Sequence, residues 1–228
     1  MSRTTRLLFT VMSVLLLGML GTACKKKNQS KDDAQDSAAT AAQATANVRV
    51  VHGADAGAIN VSADGVEVAS GLNQNAYARE HVPFPAEGAS VSVEANGSEL
   101  TTSNLNLKEG KTYTVVVLGN AQAGYNVVAL EDDLSGAGGK NRFANGLPNA
   151  GSVSFVANGG TTVGSNVAFG RDTGFVNVPS DFQRVTVKSG SDNVGSDAVP
   201  NNAQRAVTTI VVPKGNGTHF INIVDRPN

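Results

Sequence analysis

The chain has 228 residues, with 18 Lys plus Arg against 19 Asp plus Glu and only 16% charged residues. That balance leaves no clustered basic face for nucleic acid, and a single cysteine rules out a disulfide within the chain or a cysteine-rich zinc site. The polar surface must come from Asn, Ser, Thr and Gly, a composition that suits β structure better than long helices faced with Glu and Lys.

At the N-terminus, Arg3 and Arg6 precede an uncharged apolar stretch from Leu7 to Leu20, followed by Gly21-Thr22-Ala23 and then Cys24. A basic stub, an apolar run and small residues make a secretory signal. The cysteine behind it resembles the lipobox of bacterial lipoproteins, although Gly21 stands where that pattern usually has Leu. The resemblance implies a signal peptide at 1–23 and lipid attachment at Cys24. It also implies a cell-envelope location, at the outer membrane or cell surface if the host has two membranes.

A transmembrane reading competes, because Leu7 to Cys24 is 18 residues without a charge and spans need about 17–25. The dense apolar part nevertheless ends at Leu20, which fits a signal h-region of about 7–15 residues better. Lysines at 25–27 leave the charge bias undecided as a topology signal. Lipidation ranks first, ahead of an uncleaved anchor and of cleavage to a free soluble form.

Residues 25–46, KKKNQSKDDAQDSAATAAQATA, contain no aromatic, Val, Leu or Ile. Such a segment cannot bury enough apolar surface to fold, so 24–46 reads as the lipidated cysteine and a flexible tether. Its reach is roughly 70 Å fully extended and about 25 Å on average as a coil.

From Val48 onward the apolar period is two. Val48–His52 is a candidate strand. Ile59–Val61 runs into Asp64-Gly65 and Val66–Val68, and Val91–Ala95 into Asn96-Gly97, both strong hairpin signals. Tyr113–Leu118 is a nearly continuous apolar run, as expected of a central strand buried on both faces. Tyr125–Leu130 follows.

The plan repeats at an offset of 94, with Gly65 falling on Gly159, Pro85 on Pro179, Val91 on Val185, Thr114 on Thr208 and Val117 on Val211. The reading is all-β: two tandem immunoglobulin-like β-sandwich domains at 47–133 and 141–228, joined by a linker at 134–140. Each is long enough to fold as a separate unit.

Val48-Arg49-Val50-Val51-His52, Ile59-Asn60-Val61 with Ala63-Asp64-Gly65, and Gly110-Lys111-Thr112-Tyr113-Thr114-Val115-Val116 together resemble the DUF4397 family. The resemblance covers the first repeat. The second keeps the plan but has Asn145 for His52 and Val207 for Tyr113. It implies a secreted or lipid-anchored bacterial protein, often with tandem copies, and carries no activity with it.

No catalytic centre, metal site or cofactor is expected. The chain has three scattered histidines and no Gly-x-Ser-x-Gly elbow. The acids near Asp132-Asp133 and between Asp192 and Asp197 lack the spacing of a calcium loop. Gly136–Lys140 lacks the leading Gly and trailing Ser or Thr of a phosphate loop. Two readings remain. One is a structural or interaction module held to the membrane by its lipid, with an envelope protein as partner. The other is a ligand-binding surface for glycan on the first domain. Its candidate residues are His52, Tyr77 and His81, which become Asn145, Arg171 and Phe175 in the second repeat and so are not demanded by the shared fold.

Overall fold

A computed structural model describes residues 44–200 and 204–226. Cys24, the signal segment and most of the tether lie outside the described residues. All that is described belongs to one compact unit.

The first repeat has eight strands: β1 (Thr45–His52), β2 (Ile59–Ala63), β3 (Val66–Leu72), β4 (Val82–Pro85), β5 (Ala89–Ala95), β6 (Ser98–Leu105), β7 (Thr112–Asn120) and β8 (Gly124–Glu131). They form two four-stranded sheets, ordered β4-β1-β7-β8 in front and β3-β2-β5-β6 behind. β1 runs parallel to β7, with Arg49 opposite Thr114, and antiparallel to β4. The expected hairpins are present. Asp64 and Gly65 have φ of 48° and 80°, and Asn96 and Gly97 have 53° and 74°, the paired left-handed conformation that two-residue turns require.

The second repeat follows with β9 (Lys140–Asn145), β10 (Val153–Ala157), β11 (Thr162–Val167), β12 (Val176–Asn177), β13 (Arg184–Ser189), β14 (Asp192–Ala198), β15 (Ala206–Lys214) and β16 (Gly217–Asp225). Its sheets are ordered β12-β9-β15-β16 and β11-β10-β13-β14. The architecture is thus two tandem β-sandwiches, as the periodicity predicts. Two boundaries shift slightly: β1 already begins at Thr45, and Lys140 belongs to β9, where it pairs with Asn177. At Gly159, which the offset aligns with the turn glycine Gly65, the chain makes a short 3-10 turn, Asn158–Gly160. The Asn158 side chain accepts from the backbone N–H groups of Gln183 and Arg184.

Alternation along each strand builds three apolar layers. Val48 and Val50 of β1 meet Ile59, Val61, Val91, Val93, Val115 and Val117 inside the first sandwich. The second has its own core, where Phe143 stacks on Phe155 at 5.3 Å and meets Phe182 edge-on at 5.9 Å. A third layer joins the two front sheets: Val51, Val116, Leu118 and Leu130 pack against Ala144, Ile210, Val212, Ile221 and Ile223. The four sheets therefore stack, and β7 and β15 are buried on both faces. Two glycines allow this close approach. A Cβ on Gly53 would lie 2.7 Å from Val212 Cγ1, and one on Gly146 would lie 2.7 Å from the Val211 carbonyl oxygen.

Candidate functional site

Strand alternation sends Arg49 of β1 to the same face as Val51, toward the seam between the sandwiches. Arg142 occupies the matching place on β9, since Arg49 is opposite Thr114 in β1/β7 and Arg142 opposite Thr208 in β9/β15. Both arginines are buried, 3% and 1% exposed. Desolvating a guanidinium is costly unless its donors are met, and here the partners come crosswise. Arg49 of the first repeat donates from both terminal nitrogens to Asp225 of the second, at 2.7 and 2.5 Å. Arg142 of the second repeat donates to Asp132 of the first at 2.5 Å and to the Glu131 carbonyl at 2.9 Å. Each Nε donates to the threonine across its own sheet, Thr114 at 2.9 Å and Thr208 at 3.1 Å.

Asp132 follows β8 directly and Asp225 is the last residue of β16, so the exchange has an approximate twofold symmetry. The symmetry is incomplete. Asp132 is the more enclosed carboxylate: it also lies 3.6 Å from Arg49, accepts the Thr114 hydroxyl at 2.7 Å and has the His81 ring 3.6 Å away. Phe175, the counterpart of His81, covers Arg142 with its ring centroid 4.8 Å from the guanidinium carbon, a cation–π contact. Burial opposes the charge on Asp132. The neighbouring His81, Arg142 and Arg49, with the Thr114 hydroxyl, outweigh it and hold the carboxyl below its ordinary pKa. Burial likewise opposes the charge on Arg49, and the two aspartates more than restore it. The result is a latch between the sandwiches in which both guanidinium groups meet carboxylates.

The three residues singled out on the first domain do not share an exposed surface. His52 is fully buried at the end of β1, and its Nε2–H donates to the Gly57 carbonyl at 2.9 Å. Burial lowers its pKa and favours the neutral ring, with Nδ1 enclosed and unpaired. Asn145 does the same work in the second repeat, donating to the Gly151 and Val167 carbonyls at 2.9 Å and accepting from Leu147 N–H at 3.0 Å. The His-to-Asn change thus preserves a loop clasp. His52→Ala is expected to cost about 1–3 kcal/mol by stranding the Gly57 carbonyl, whereas His52→Asn should recover part of it; urea denaturation of both variants measures this. Tyr77 bridges to Val51 and packs half-buried against the seam. His81 stands at the same seam beside Asp132.

Sequence reasoning passed over Arg49, Arg142, Asp132 and Asp225. The signal was present: an arginine inside the first strand of each repeat and an aspartate at the end of the last, each pair 93 residues apart. No match to this chain is found among curated proteins. Residues 46–142, the first sandwich and the opening of β9 as far as Arg142, match the family model described as Domain of unknown function (DUF4397).

Proposed function

We propose that this is a lipid-anchored cell-envelope protein that presents a rigid pair of β-sandwiches for structural or interaction purposes, without catalysis. The observation that carries this reading is the crossed pairing of Arg49 with Asp225 and Arg142 with Asp132. It makes two modules one stiff body, which is of use when a surface must be held in fixed orientation. Cys24 supplies the anchor and the residues between it and Thr45 the spacer. The three lysines after the cysteine add attraction to anionic headgroups, at about 1 kcal/mol each. A ligand-binding reading centred on His52, Tyr77 and His81 draws no support from their placement.

Mass spectrometry of the N-terminal peptide from a membrane fraction tests the anchor. A diacyl- or triacyl-cysteine at position 24 is expected, with Cys24→Ala moving the protein out of that fraction. A mature chain beginning elsewhere, or one retaining residues 1–23, would overturn the proposal. Protease treatment of intact cells then reports whether the sandwiches face outward.

A further inference from the structure

Both repeats send the loop after their first strand and the turn of their last hairpin to the same end of the molecule. At that end the loops of the two sandwiches line a cleft of about 560 Å³, within the range of about 300–1,000 Å³ typical of small-molecule sites. Thr45, where the tether joins, lies at the opposite end of β1. Loops at one end of a rigid sandwich are where binding groups are commonly carried.

The polar lining includes Asp55, Asn120 and Gln122 from the first repeat with Asn149, Asp192 and Asn216 from the second. The loop following β1 contributes Asp55 and the loop following β9 contributes Asn149, so each repeat brings a polar side chain of different chemistry. No Lys, Arg or His lines the cleft, so a phosphate or carboxylate ligand would find no cation to pair with. Amides and carboxylates in one cleft instead suit a ligand whose groups both donate and accept, as hydroxyls do.

Part of this array is set in place beforehand. The Asp55 carboxylate takes a hydrogen bond from Gln74 at 2.9 Å. The Asn120 side-chain oxygen accepts from the Gln122 and Ala123 N–H groups at 3.0 and 2.7 Å, which leaves its Nδ2 group to donate. Leu147 and Pro213 supply an apolar wall for the C–H face of a ring. We propose that this cleft binds a short neutral oligosaccharide, with both repeats contributing to one site.

The test is calorimetric titration of the purified full-length chain in detergent with maltotriose, cellotriose, mannotriose and N-acetylchitotriose; it does not depend on the lipid, so its failure is separable from failure of the anchor. At least one sugar should bind saturably. Asp192→Ala and Asn149→Ala should each weaken that binding about tenfold or more with an unchanged melting temperature. If either variant melts early, Asn216→Ala on the exposed turn takes its place. Absence of saturation for every sugar up to its solubility limit would overturn the proposal. So would binding that survives the substitutions, or calcium ions binding to the cleft in place of sugar.

Discussion

Asp132→Ala should destabilise the protein by about 3–5 kcal/mol, because it leaves buried positive charge without its partner. Arg142 would lose its paired carboxylate, Arg49 its second, and the Thr114 hydroxyl its acceptor. Asp225→Ala should cost less, since Asp225 is 15% exposed and Arg49 would keep Thr114 and a contact with Asp132. Urea denaturation of the two variants gives the order. An equal or reversed order would mean that Asp132 is not the centre of the latch.

The same carboxylate sets an acid limit. Its folded pKa is depressed, so its contribution is fully present above the unfolded value of about 3.9 and is lost as pH falls from there through the folded value. Asp132→Asn should therefore be less stable at neutral pH and show a shallower loss of stability below about pH 4. Parallel acid-denaturation profiles of the wild type and the variant would count against this assignment.

Leu118→Ala is expected to cost about 2–5 kcal/mol. Leu118 is 2% exposed and packs in the layer between front sheets, against the approach of Gly53 and Gly146. Leu118→Met, of similar volume, should cost less than about 1.5 kcal/mol. The informative readout is cooperativity. In the wild type both sandwiches should unfold in one transition, monitored by amide signals in β5 and β13; in Leu118→Ala the two transitions should move apart. Two separate transitions already in the wild type would show that the seam contributes little.

That layer changes what should follow from cutting the chain in two. Each half has its own sheets and its own core, which favours independent folding. Each alone would also expose one face of the seam, with Val51, Val116, Leu118 and Leu130 on the first half and an arginine lacking its aspartate. Because the crossed ion pairs make that face nearly self-complementary, the first half alone should gain mass with concentration rather than stay monomeric.

Local pattern was enough for much of the architecture. Period-two alternation marks the β strands, and Asp64-Gly65 and Asn96-Gly97 adopt the left-handed turn their chemistry favours. Tyr113–Leu118 reads as buried on both sides because a strand enclosed by two layers must be apolar on successive residues. The offset of 94 pointed to two tandem β-sandwiches, which the fold contains. What alternation along a strand cannot say is which surface the second face meets. Arg49, between two valines, reads as an outward polar residue, and only the packing of the second front sheet turns outward into buried. His52 shows the reverse: a polar side chain that reads as an accessible candidate is enclosed because the loop after β1 folds back to give it a carbonyl. Pairings such as Arg49 with Asp225 span 176 residues, a separation at which no local spacing carries a signal. They exist because two similar sheets meet face to face about an approximate twofold axis, so each arginine reaches the aspartate of the other repeat.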